Sequence, residues 1–173
     1  GVMDAVICCQ GVNDPAPPGT NPAERPIDKR MWDSNVFGII ELAKAFAATY
    51  DGTPRRRPFI AVTSNSAEIA RSRSGDYCAG KAALDMYLRC MQRDHVLQGF
   101  EFHSVAAGHV RTPMFERMSG ILGEDVMKAG YMRSPLKRLI EPEELAQIIC
   151  FLALNPAAVW LSGSMLRVDG GEQ

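Results

Sequence analysis

The chain has 173 residues, 46% of them hydrophobic and 23% charged, with a formal net charge of −1. That is enough apolar material for one domain with a packed core. The near-neutral balance argues against nucleic acid or a membrane surface as a partner, and no apolar run approaches the roughly 18–20 residues that a bilayer-spanning helix needs.

In chain order, the run from Met3 to Cys9 predicts a short buried parallel strand, ended by Gly11. Asn13 to Pro26 is rich in Pro, Gly and Asn and predicts an irregular surface loop. A helix is expected from about Asp28 to Tyr50. Val36, Ile39, Ile40, Ala43 and Ala47 form one stripe, while Phe37, Leu42, Ala45 and Phe46 cover other faces. A helix apolar nearly all round needs a second partner besides its own sheet, which points to a subunit interface. Arg55-Arg56-Arg57, between Pro54 and Pro58, is expected in a solvated turn. Phe59 to Thr63 predicts a second buried strand with Ser64 at its C-terminal end. Ser74-Gly75-Asp76 reads as a helix start, and the helix from about Asp76 to Leu97 carries Tyr77 and Lys81. Phe100 to Ala107 predicts a third strand, and Gly108 to Pro113 the turn after it. Met114 to Leu136 reads as an irregular, methionine-rich segment. Glu141-Pro142-Glu143-Glu144 opens a helix with Pro in the first turn and acids at the positive end of the dipole. Asn155-Pro156 stops that helix, and Ser164 to Val168 is a last strand, closed by Asp169-Gly170-Gly171.

Alternating strands and helices predict an α/β fold: parallel strands, right-handed crossovers and helices on both faces of one sheet. Ligands of such sheets bind beyond the C-terminal strand ends. Gly11, Ser64, Gly108 and the start of the Tyr77 helix all fall at that edge. Tyr77 and Lys81, at i and i+4, share a helix face. A cation beside a phenol favours the phenolate, so a group that normally loses its proton near pH ~10 is expected to titrate closer to neutrality. Ser64, thirteen residues before Tyr77, is placed to enter the same cleft. On spacing alone a buried Tyr with a solvated Lys is the better reading; the shared position at the sheet edge reverses that and makes the three a candidate proton-transfer site. The five cysteines, Cys8, Cys9, Cys78, Cys90 and Cys150, show no CxxC or Cys/His ligand spacing. They are expected to be free thiols in a reducing, cytoplasmic compartment, with no metal site.

These residues resemble the C-terminal two-thirds of a classical, single-domain short-chain dehydrogenase/reductase, from Gly1 to Gly171. Asp4-Ala-Val-Ile-Cys-Cys-Gln-Gly11 resembles the strand that ends in Asn-Asn-Ala-Gly. Trp32-Asp-Ser-Asn35 is similar to the segment with the family's catalytic Asn, and Ser64, Tyr77 and Lys81 match the catalytic Ser and YxxxK. Ala107-Gly-His-Val-Arg-Thr112 resembles the PGxxxT segment, and Ser162 to Gly171 the closing strand. The resemblance implies a Rossmann-like parallel sheet without its first βαβ units, in a single partial domain over residues 1–173 with a lid at 112–136.

It also implies NAD- or NADP-dependent hydride transfer. Tyr77 would be general acid/base, with Lys81 lowering its pKa and binding the nicotinamide ribose. Ser64 would orient the substrate oxygen, and Asn35 would hold a water that links Lys81 to solvent. Gln10, Gly11, Tyr77, Lys81, Gly108, Val110 and Thr112 would meet the cofactor. Ser66, Met114, Phe115 and Met118 would meet an apolar ketone or secondary alcohol, such as a hydroxysteroid-like, cyclic or acyl carbonyl. A homodimer or homotetramer is implied, through the helices from Asp28 and Asp76. Three departures stand out: no GxxxGxG turn occurs in this sequence, Cys8-Cys9-Gln10 replaces Asn-Asn-Ala, and Ala107 replaces Pro. The alternative reading is a non-catalytic relative or an assembly subunit without functional cofactor binding.

Overall fold

Four strands carry the architecture of this computed structural model, which describes residues 3–172; Gly1 and Val2, where the resemblance begins, and Gln173 lie outside the described residues. They are β1 (Val6–Cys8), β2 (Arg57–Val62), β3 (Phe100–Ala107) and β4 (Met165–Val168). All pair in parallel in the order β1-β2-β3-β4. Cys8 pairs with Ala61, Ala61 with Ser104, and Ser104 with Met165, so the C-terminal ends of the strands line up along one edge. Among the described residues the outer edge of β1 is unpaired, and Ile7 there is 48% exposed.

Strand side chains alternate between the two faces, and the sequence supplies apolar residues for both. On one face Phe59, Ala61, Phe100 and Phe102 pack against Ile39, Ala43 and Phe46 of α2 (Gly38–Ala47) and Leu84 and Leu88 of α3 (Gly75–His95). On the other, Ile60, Val105 and Ala107 pack against Leu145, Ile149 and Leu152 of α6 (Pro142–Leu154). This is the α/β arrangement expected from the alternation, with helices on both faces.

Three expectations need correction. The helix from Asp28 is not uniform: α1 (Lys29–Trp32) runs through a π-helical segment (Asp33–Phe37) into α2. Asp28 caps it, its carboxylate accepting from Met31 N at 3.1 Å. Second, the arginine run is not a solvated turn. Arg57 opens β2 fully buried, paired with Asp51 at 2.8 Å and lying over the rings of Tyr50 and Phe100. Arg56 pairs with buried Glu101 at 2.9 Å and donates to the last carbonyls of α6, Leu152 O and Ala153 O. Guanidinium planarity lets Arg57 be buried by stacking and paired charge at once. Third, the methionine-rich segment is helical, as α4 (Pro113–Leu122) and α5 (Glu124–Tyr131). The signals were present: Thr112 as cap, Pro113 at the first position, and Met114, Met118, Ile121 and Leu122 at helical spacing.

Candidate functional site

The site forms where the chain leaves the C-terminal ends of β1, β2 and β3. The π segment projects Asn35 into the turn that follows β1. Its amide donates to Val12 O and its carbonyl accepts from Val12 N, both at 2.7 Å, and the residue is fully buried. The side chain therefore holds the backbone beside Gly11. A π turn widens the helix locally, a distortion often found at functional positions.

Gly11 lines a cradle formed by three side chains. A methyl at its Cα would lie 3.6 Å from Met114 Cε, 3.7 Å from Asn35 Oδ1 and 3.7 Å from Lys81 Nζ. Residues from β1, the π segment, α3 and α4 thus converge on one point. Lys81, only 3% exposed, donates to Val62 O at 3.1 Å and stands 5.7 Å from the centre of the Tyr77 ring. Burial depresses its ammonium to about 8, because a cation in a poorly solvated site is disfavoured against its neutral form. Gly80, one residue earlier, brings α3 against Met31 and Val36, at 3.3 and 3.2 Å from an added Cβ.

Ser64 caps a short 3₁₀ turn (Asn65–Ala67), its Oγ accepting from Ser66 N at 3.1 Å. Its hydroxyl is also close enough to the Tyr77 phenol to favour the phenolate. Tyr77 titrates above its ordinary value: burial pushes the phenol up, and the Ser64 hydroxyl recovers only part of that. The direction is opposite to the one expected from the Tyr–Lys spacing. The lysine is itself desolvated and directed at Val62 O, so removal of the phenol from water dominates.

Gly108 continues the edge after β3. A Cβ there would lie 2.9 Å from Asp169 Cβ and 3.1 Å from Asp169 Cα, so the turn needs a glycine to pass the end of β4. Val110 bridges to Ile140, and Thr112 caps α4 by accepting from Phe115 N at 3.3 Å. Of the predicted substrate residues, Met114 reaches Gly11, and Met118 sulfur accepts from Asn13 Nδ2 at 3.4 Å. Phe115 packs edge-on to His109, centroids 6.2 Å apart, and against Tyr131. Ser66 is buried behind Ser64, and Gln10 is exposed. A separate cavity of about 410 Å³, bordered by His109, Tyr131, Ile140, Ile148 and Asp169, opens between α5, α6 and the C-terminal turn; Ser64, Tyr77 and Lys81 do not line it.

Sequence reasoning missed a polar cluster beside this site. Asn65 donates to Asp169 at 3.2 Å and to Glu172 at 2.9 Å, while Arg71 donates to Glu172 at 2.6 Å and to Asn65 at 3.1 Å. Its partners lie more than a hundred residues apart in the chain, so no local pattern announces them.

A parallel α/β sheet with glycine turns, a buried lysine and a Ser–Tyr pair at its C-terminal edge defines a Rossmann-like protein. The family model described as enoyl-(acyl carrier protein) reductase matches residues 1–173. The chain belongs to the short-chain dehydrogenase/reductase family. It is 29% identical to the vibriobactin-specific 2,3-dihydro-2,3-dihydroxybenzoate dehydrogenase of Vibrio cholerae, over 98% of this chain and 65% of that protein. It therefore spans slightly under two thirds of that relative's length. Solved structures share the fold. The angucycline C-6 ketoreductase LanV with bound NADP superimposes with a TM-score of 0.83, at 21% identity, over 99% of this chain and 63% of that one. The 7α-hydroxysteroid dehydrogenase complexed with NADH and 7-oxo glycochenodeoxycholic acid gives 0.81, at 24% identity, over 99% and 64%.

Proposed function

We propose that this chain carries the catalytic edge of an NAD- or NADP-dependent oxidoreductase that interconverts an apolar ketone and its secondary alcohol. The observation that carries the reading is the convergence of Gly11, Asn35 and Lys81 on one cradle, beside the Ser64–Tyr77 pair. The cradle suits the nicotinamide ribose: Gly11 has no side chain to fill it, and Lys81 offers donors to hydroxyl groups. Thr112 and the Gly108 turn stand on the far side of the same edge. A bound nicotinamide would supply the hydride to the carbonyl carbon, or take it in the reverse direction.

The chain's own residues do the rest. Ser66 N takes one of the two lone pairs of the Ser64 hydroxyl, and the hydroxyl proton serves the developing oxyanion or the phenol. In reduction, the Tyr77 phenol gives its proton to that oxygen as the carbon–hydrogen bond forms; in oxidation it takes the proton back. A phenol pushed above its ordinary value retains its proton at neutral pH, so the proton is present to be given in reduction. Lys81, titrating at about 8, is mostly a cation at pH 7 and stabilises the phenolate left behind. Asn35 fixes Val12 and so the shape of the Gly11 turn. Met114, Phe115 and Met118 give the substrate an adaptable apolar wall.

The same reading includes a homodimer or homotetramer formed through α2 and α3. It is supported by Phe37 and Leu42, exposed at the start of and within α2, and by Met86, 56% exposed on α3. A cytoplasmic, reducing setting is supported by five cysteines that are all free thiols. Among the described residues no helix is long and apolar enough to cross a membrane.

The decisive experiment is Tyr77→Phe in the protein as its gene encodes it. NADH- and NADPH-dependent reduction of cyclic ketones is expected to fall below detection, with nicotinamide fluorescence on binding retained. Turnover preserved in the phenylalanine variant refutes the role.

A further inference from the structure

Glu172 lies beyond every motif of the family resemblance, yet it is completely buried. One carboxylate oxygen accepts from Arg71 Nη1 at 2.6 Å. The other accepts from Asn65 Nδ2 at 2.9 Å and stands 3.6 Å from His109 Nδ1. Arg71 Nη2 donates to Asn65 Oδ1 at 3.1 Å, which closes a triangle around the carboxylate. The three partners sit on the three segments that present the site. Asn65 adjoins Ser64, Arg71 lies in the loop that leads to Tyr77, and His109 adjoins Gly108.

We infer that Glu172 is a positioning residue, a single buried carboxylate that locks the Ser64 turn, the Tyr77 approach loop and the Gly108 turn into one frame. The inference rests on the oxidoreductase reading above and adds to it the part that holds Ser64 in register with Tyr77. Burial by itself pushes the Glu172 carboxyl up, but the hydrogen bonds from Arg71 and Asn65, with the charges of Arg71 and His109, outweigh it and leave the group ionised at neutral pH. The remaining charges around it are accounted for. Asp169 is gripped by Arg167 at 2.6 Å, and Arg167 also donates to the Glu172 backbone carbonyl. Arg133, just after α5, faces His109. Loss of the carboxylate leaves the half-buried Arg71 cation and the buried Asn65 amide beside the site without their shared acceptor, which is a larger penalty than loss of one hydrogen bond. Both loops are then free to shift, and a displacement of about 1 Å at a reacting group is enough to lower turnover by about a hundredfold.

The test uses Glu172→Ala, Glu172→Gln and Arg71→Met in the protein as its gene encodes it, with cyclohexanone and NADH or NADPH as probes. The expected result is a kcat about a hundredfold lower for Glu172→Ala and about tenfold lower for Glu172→Gln, with the KM for ketone changed by less than about twofold. The glutamine keeps an acceptor of the same shape and so restores part of the frame. Combining Arg71→Met with Glu172→Ala is expected to lose no more than the worse single change, as befits two ends of one contact. A readout independent of turnover accompanies these. Amide hydrogen exchange over residues 64–72 and 108–112 is expected to accelerate in Glu172→Ala and in Arg71→Met, while β2 and β3 stay protected. Unchanged exchange in those loops overturns the assignment, as does an unchanged kcat. If Glu172→Ala does not fold, the glutamine and Arg71 variants carry the same comparison. If the unmodified protein turns over no ketone, the oxidoreductase reading fails, and the exchange data alone decide whether Glu172 holds the frame.

Discussion

Lys81 couples the proposed chemistry to the stability of the fold, so its titration can be measured without a substrate. Its ammonium is held at about 8, down from 10.5 in the unfolded chain, because burial disfavours the cation. A cation with a depressed pKa destabilises the folded state fully below the folded pKa. The penalty is relieved as pH rises from about 8 toward 10.5, since over that range the unfolded chain binds more protons than the folded one. At about 1.4 kcal/mol per tenfold, the full effect is about 3 kcal/mol, and about 2–3 kcal/mol of it falls between pH 7 and 10. Tyr77 acts with the opposite sign above pH 10, where its raised pKa keeps it protonated in the fold while the unfolded phenol ionises, so the useful window ends there. The experiment is a set of urea denaturations followed by circular dichroism from pH 7 to 10, on the unmodified protein and on Lys81→Met. The unmodified protein is expected to gain stability relative to the variant as pH rises, by the amount above. Parallel stability profiles for the two proteins refute the argument, because they show that Lys81 titrates alike in the folded and unfolded states.

Further expectations follow from other contacts. Asn35→Leu strands Val12 N and Val12 O in a buried site and is expected to destabilise by about 2–4 kcal/mol; a melting temperature within a degree of the unmodified protein's contradicts the clamp. Gly108→Ala drives a Cβ to 2.9 Å from Asp169 Cβ and is expected to lower stability by about 1–3 kcal/mol. Gly11→Ala, by contrast, meets its neighbours at ordinary contact distances of 3.6–3.7 Å; thermal unfolding is expected to be unchanged while nicotinamide binding weakens, and unaltered binding argues against a cofactor in that cradle. Met86→Glu places a charge on the exposed face of α3, and sedimentation is expected to show a smaller assembly; an unchanged sedimentation coefficient removes that face from the interface.

Much of the fold is local enough to be legible in the residues. The third strand, predicted from Phe100 to Ala107, occupies those residues, because Phe100, Phe102, Val105, Ala106 and Ala107, set between a helix end and a glycine, have few other ways to be buried. The start of α6 is marked by Pro142 and by Glu144, whose side chain accepts from Glu141 N at 2.9 Å. The α4–α5 pair was signalled too, by Thr112-Pro113 and a helical stripe, but the abundance of methionine obscured it. The sequence by itself determined the order of strands and helices, and it determined that Gly11, Ser64, Tyr77 and Gly108 would share one sheet edge, since both depend on periodicity and short-range turn chemistry. Tertiary structure decided how deeply each group is buried and which distant group it meets. It buried Arg57 against two rings, spent Asn35 on Val12, raised the Tyr77 phenol instead of lowering it, and set Glu172 between Asn65 and Arg71. Charge and proton affinity depend on desolvation and on neighbours across the fold, and a linear pattern encodes neither.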